Sequence, residues 1–213
     1  MELSEKGKKL VALYSEMTKK GYERKDKSTV VDVFSDFESR AYRHQLKNDL
    51  KNFKIKSILD YGCGGSVWDE NGFDENGQSA KDFYDLHDCF RYEPSRGIDE
   101  RQQVDCVISF DVLEHIFIAD VSKVINDIFS YAERLVIINV ACYPAAALLP
   151  NGENAHITVR HPIWWKSAVD NIALNYPDVS VLLLTSTGWR ETTAFPIFKT
   201  ADWLNSKNFV IKE

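Results

Sequence analysis

Residues 57–66 read SILDYGCGGS. An apolar run stops on Asp60, and Gly62, Gly64 and Gly65 fall within four positions directly after it. Glycine tolerates positive φ and lets another group approach the main chain closely. A buried strand that ends on a carboxylate and then strips its backbone bare points to a small charged ligand held against the turn. The rest of the chain shows what kind of sheet that strand belongs to.

Outward from this stretch, apolar strands alternate with amphipathic helices. Strands are predicted over 55–60, 89–93, 104–110, 135–140 and 179–184, with a closing hairpin over 194–199 and 208–212. Val121, Val124, Ile125, Ile128 and Phe129 recur at i, i+3, i+4, i+7 and i+8, which makes one apolar stripe on a helix over 120–132. Pro162 opens another helix at its first turn, running to about Tyr176. Two helices precede the first strand, over 3–20 and 30–52. This order predicts an α/β fold, a Rossmann-like doubly wound and mostly parallel sheet with helices on both faces. Residues 1–53 read as a helical lid or extension, and 54–213 as the sheet domain. Ligands of such sheets bind beyond the carboxyl ends of the strands, where the strand order reverses. The positions of interest are therefore 60–66, 93–95, 111–115 and 139–144.

Composition narrows the class. The chain has 213 residues, 44% hydrophobic and 27% charged, which is ample for one buried core. No run of eighteen apolar residues and no apolar leader core occurs, so neither a membrane span nor secretion is expected. Cys63, Cys89, Cys106 and Cys142 form no CxxC pair, and the five histidines show no HxxxH or HExxH spacing. A reduced, cytoplasmic protein without a metal site is expected. The net charge of −6 disfavours a protein that grips duplex nucleic acid, which needs a broad cationic face.

Several ligands use glycine turns after a first strand. The phosphate-binding run GxxxxGK[ST] is absent. The dinucleotide pattern G-x-G-x-x-G matches at Gly62 and Gly64, but its third position holds Val67, or Trp68 in the other framing. A bulky residue there opposes the close helix packing that the third glycine permits. "ILDYGCGGS" instead resembles the first motif of class I S-adenosylmethionine-dependent methyltransferases, with Ser66 in place of the last glycine. "DCVISFDVLEHI" at 105–116 is similar to the fourth strand of that family and its Asp-x-Leu-Glu-His turn. The arrangement YEPS, DVLEH, LPNGENAH and WW also resembles a group of small methyltransferases of bacteria and their phages.

The resemblance implies S-adenosylmethionine as cofactor, bound by Asp60, Gly62, Cys63, Gly64, Gly65, Asp111, Val112 and Leu113. It implies that Glu93, ending the second strand, accepts hydrogen bonds from both ribose hydroxyls. Glu93 lies far from the glycine loop, so 67–88 reads as an insertion or an elaborated first helix. Only about a dozen residues part Glu93 from Val104, too few for a crossover helix and another parallel strand, which predicts a sheet trimmed at that edge.

Methyl transfer needs alignment and desolvation, and a base only where the acceptor must lose a proton. On the acceptor side, Asp111 and His115 follow the fourth strand, and Glu114 suits a helix start. The stretch 149–165, LPNGENAHITVRHPIWW, holds Asn151, Glu153, Asn154, His156, Arg160 and His161 beside Trp164 and Trp165. His156 is the first choice of general base, with Asp111 and His115 as further catalytic candidates. Asn154, His156, Trp164, Trp165 and Tyr14 are candidate substrate contacts, while core packing is the competing role for the tryptophans. Tyr22, Phe37, Arg40 and Arg43 are further candidates on the N-terminal helices. The expected acceptor is a small molecule or a sugar-like one. The alternatives are a methyltransferase acting on a nucleic-acid base or a protein, and a non-catalytic cofactor-binding module of the same fold. No (Asp/Asn)-Pro-Pro-(Tyr/Phe) run, the signature of amino methylation on DNA bases, is present.

Overall fold

A computed structural model describes residues 1–24, 26–31, 33, 34, 38–188, 191–198 and 209–212. Its centre is an eight-stranded sheet in the order β10-β9-β8-β7-β6-β3-β4-β5. The parallel strands are β3 (Ser57–Tyr61), β4 (Asp88–Glu93), β6 (Val104–Phe110), β7 (Ala132–Ala141) and β8 (Ser180–Gly188). β9 (Glu191–Phe198) and β10 (Phe209–Lys212) extend one edge antiparallel. β5 (Ile98–Asp99) closes the other edge antiparallel to β4, after a 3-10 turn over Pro94–Arg96. No crossover helix follows β4. A separate two-stranded ribbon pairs β1 (Tyr22–Glu23) with β2 (Thr29–Val30).

The apolar strands are buried on both faces because helices cover both. Successive side chains of a strand point to opposite sides. In β7, Val136, Ile138 and Val140 face α4 (Val121–Ser130) and α5 (Pro162–Ala173), while Leu135 and Ile137 face the other layer. That second layer holds α2 (Arg43–Asn52), through Leu46 and Leu50, and the short α3 (Ala80–Tyr84), through Phe83 and Tyr84. The five apolar residues of the α4 stripe are all buried. Burial of each contributes roughly 1.5–3 kcal/mol. Among the described residues, no helix is long and apolar enough to cross a membrane.

The N-terminal part departs from a simple helix pair. α1 (Glu5–Lys20) is capped by Ser4, whose hydroxyl accepts from the Gly7 amide. The Ser4 amide and hydroxyl in turn donate to the buried Asp120 carboxylate, at 2.9 and 2.5 Å. A Cβ at Gly7 would stand 2.4 Å from that carboxylate, so glycine lets α1 dock there. Leu10 and Met17 then pack on Val33, Ala145, Leu149 and Ala155, which lays α1 over the carboxyl ends of the strands. Among the described residues of the predicted helix over 30–52, a 3-10 segment spans Glu38–Tyr42 and the α-helix starts at Arg43. Phe34 has φ 55°, and its carbonyl accepts from the Gly65 amide rather than from a helical neighbour. The stretch 67–88 forms turns and α3, with Trp68, Phe73, Phe83 and Tyr84 clustered ring against ring.

Asp105, inside β6, ties the start of β3. Its Oδ2 accepts from the Lys56 and Ser57 amides at 2.8 and 3.1 Å, and its own amide donates to Ser57 Oγ at 2.9 Å. Asp105→Ala leaves two part-buried amides without an acceptor and is expected to lower stability by about 1–3 kcal/mol in urea unfolding. An unchanged midpoint would show that the strand register is held elsewhere.

Candidate functional site

β3 pairs with β4 on one side and β6 on the other, so the strand order reverses at β3. A cavity of about 570 Å³ lies at this point, beyond the carboxyl ends of the strands. The glycine loop, the end of β4, the turn after β6, the chain around 143–156 and α1 line it. Its size suits a small ligand or cofactor.

Gly62 and Gly64 both have positive φ, 87° and 56°. A Cβ on Gly62 would stand 2.2 Å from Val112 Cγ2, and one on Gly64 2.7 Å from the Phe34 carbonyl oxygen. The bare main chain thus admits two neighbouring segments of the chain itself. The loop amides are all spent. Those of Gly62 and Cys63 donate to Tyr92 O at 2.7 and 3.1 Å, and Gly64 donates to Glu93 Oε2 at 3.2 Å. Gly65 donates to Phe34 O at 2.6 Å and Ser66 to Cys63 O at 2.9 Å. The next α-helix begins only at Ala80. Neither free amides nor a helix N-terminus is therefore offered to a phosphate here.

The cavity is acidic. Glu38, Asp60, Glu93, Asp111 and Asp120 line it, and among the described residues Arg24 is the only lysine or arginine there. Burial pushes the Asp60 carboxyl from 3.8 up to about 7; Trp68 Nε1, donating to Oδ2 at 3.1 Å, opposes this, while the Glu93 charge adds to it. Glu93 is held by the Gly64 amide on Oε2 and by the Ser95 amide and hydroxyl on Oε1, at 2.9 and 2.6 Å. Asp111, at a left-handed φ of 52°, is pushed up to about 7 by burial and by the charge of Glu38. Glu114 is raised well above the ordinary range by burial and by Asp111, with Oε1 accepting from the Ala141 amide at 2.8 Å.

Opposite the glycine loop, three rings converge on the turn after β6. The Tyr14 hydroxyl donates to Ala155 O at 2.5 Å, and His115 Nδ1 lies 2.9 Å from the same oxygen and 3.0 Å from Tyr14 Oη. Burial, and then His156, push His115 down to about 3, so this imidazole is neutral. Its ring stands edge-on to His156, with centroids 5.0 Å apart.

Of the residues singled out in the sequence, Asp60, Gly62, Cys63, Gly64, Glu93, Asp111, Val112, His115, His156 and Tyr14 line the cavity, as does Tyr22. Gly65 lies under the Phe34 carbonyl, and Leu113 is buried in the core on the α4 side. Asn154 clamps the backbone of Ala145, accepting from its amide at 2.9 Å and donating to its carbonyl at 2.8 Å. Trp165 is fully buried, and Trp164 stacks edge-on against it; neither borders the cavity. His161 caps α5 and Glu153 pairs with Lys6. Phe37 lies outside the described residues. Phe34 and Asp120, to which the sequence assigns no ligand role, also line the cavity, and Tyr143 falls in the window 139–144 marked past β7.

Comparison of the chain with protein-family models, curated proteins and solved structures gave no match in any of the three.

A stability test isolates the buried acid. Below pH 3.8 Asp60 is neutral in the folded and unfolded chains alike and has no effect. As pH rises the unfolded chain ionises first, so stability falls up to about pH 7 and then levels. Asp60→Asn keeps an acceptor for Trp68 and is expected to exceed the parent in stability by about 2–4 kcal/mol at pH 8, with a smaller gap at pH 5. A gap independent of pH in urea unfolding would contradict a neutral Asp60 carboxyl in mild acid.

Proposed function

We propose that this chain is an S-adenosylmethionine-dependent methyltransferase acting on a small-molecule or sugar-like acceptor. The observation that carries the proposal is the acidic cavity at the strand-order switch, bordered by a glycine loop with no amide to spare. S-adenosylmethionine bears an ammonium and a sulfonium and no phosphate, so it suits carboxylate walls. A dinucleotide bears a pyrophosphate, which this loop cannot serve. The two motifs that resemble the class I family, at 57–66 and 105–116, both border the cavity.

When bound, the cofactor would supply a methyl group on a sulfonium, which departs to an acceptor nucleophile while the C–S electron pair returns to sulfur. The residues here bind, orient and exclude water. Glu93, fixed by the Gly64 amide and by Ser95, retains lone pairs that can accept from a ribose diol. Asp60, ionised by a nearby cation, would hold the ammonium. α1 and the Phe34 segment shield the crevice from solvent, which strengthens those charge interactions. Asp111 and His156 border the same cavity, where an acceptor proton would have to go.

Isothermal titration with S-adenosylmethionine and S-adenosylhomocysteine tests the reading. Both are expected to bind, and Glu93→Ala is expected to weaken binding by about 1–3 kcal/mol. Glu93 is preferred to Gly62 for this test, because a side chain at 62 collides with Val112 and would perturb the fold itself. No binding of either compound overturns the proposal, and tight binding of NADH in their place would restore the dinucleotide reading.

A further inference from the structure

From the arrangement around the turn after β6, we infer that Glu114, His115 and His156 form a binding site for one divalent transition-metal ion, open towards the cavity. Each residue offers one donor atom, and the three atoms lie within 4.8 Å of one another. No motif spacing announces the set. Glu114 and His115 are neighbours in the 3-10 turn Leu113–His115, and His156 reaches them from the chain between β7 and α5.

Three observations support a metal rather than a chance cluster. First, Glu114 is fully buried, its Oε1 accepts from the Ala141 amide, and its carboxyl shares a hydrogen bond with Asp111, so two acids meet there. Two acids held together away from water are costly unless a positive charge joins them. Second, both imidazoles are oriented as metal-binding histidines usually are. His115 Nδ1 lies 2.9 Å from Ala155 O, and His156 Nδ1 lies 2.5 Å from Tyr143 O. A carbonyl only accepts, so each Nδ1 carries a proton and Nε2 is the ring nitrogen a metal would take. Third, the donors are two imidazole nitrogens and one carboxylate oxygen, a set that suits zinc, iron(II) or cobalt(II) better than calcium or magnesium.

Protein ligands at about 2.1 Å from a tetrahedral ion stand about 3.4 Å apart, so binding would draw the three donors inwards. His115 and His156 line the cavity and Glu114 lies behind them. Three protein ligands leave coordination positions facing the cavity, where an oxygen of a small ligand or water would enter. The inference needs no methyl donor and is tested without one.

The chain, stripped with chelator, is titrated with cobalt(II) alone and followed by calorimetry and by visible ligand-field bands. One ion per chain is expected. His156→Ala and Glu114→Gln are each expected to weaken binding at least tenfold, whereas His161→Ala, outside the cluster, leaves it unchanged. A crystal soaked in cobalt keeps the test independent of how the variants fold, with anomalous density expected between the three donors. Absence of binding to the parent, equal binding by all variants, or density only elsewhere overturns the site.

Discussion

Two left-handed glycines let three separate stretches of chain meet at one point. With no Cβ at 62, Val112 closes onto the end of β3; with none at 64, the Phe34 carbonyl reaches the loop and takes the Gly65 amide. Val33, beside it, accepts from Arg96 Nη2 at 2.5 Å, so the N-terminal segment is pinned to the turn after β4 as well. These contacts set the floor of the cavity, and α1, docked through Ser4 on Asp120, sets its roof. A side chain at either glycine would separate β3, β6 and the N-terminal segment where their ends must converge.

That convergence gathers negative charge. Asp60, Asp111 and Glu114 are all raised by burial, and none has a lysine or arginine ion pair among the described residues. Buried acids without a cation lower the stability of a fold, and such groups persist at functional sites. Asp111 adds a positive φ that a non-glycine residue adopts at a cost. A cationic ligand would offset these unfavourable terms. The glycine loop, its amides spent on Tyr92, Glu93, Phe34 and Cys63, favours such a ligand over an anionic one.

Much of the frame was legible because it is local. The α4 stripe follows from 3.6-residue periodicity, and β6 and β7 follow from short β-rich runs flanked by polar turns. After Glu93 the chain turns back as β5, antiparallel to β4. What stayed hidden depends on contacts between distant residues. Nothing local reveals that Phe34 gives its carbonyl to Gly65, so 30–42 reads as helix by its apolar spacing. Asn154 and Trp165 carry types common in binding loops, yet one clamps a backbone and the other fills the core. The meeting of Glu114 and His115 with His156, some forty positions on, has no spacing signature at all.

The most direct measurement is a crystal structure of the chain grown with S-adenosylhomocysteine. The account predicts the nucleoside in the crevice between β3 and β6, its ribose hydroxyls within hydrogen-bond distance of Glu93 and its amino-acid end beside Asp60. A crevice without the nucleoside, or the nucleoside bound away from residues 60–64, would contradict it.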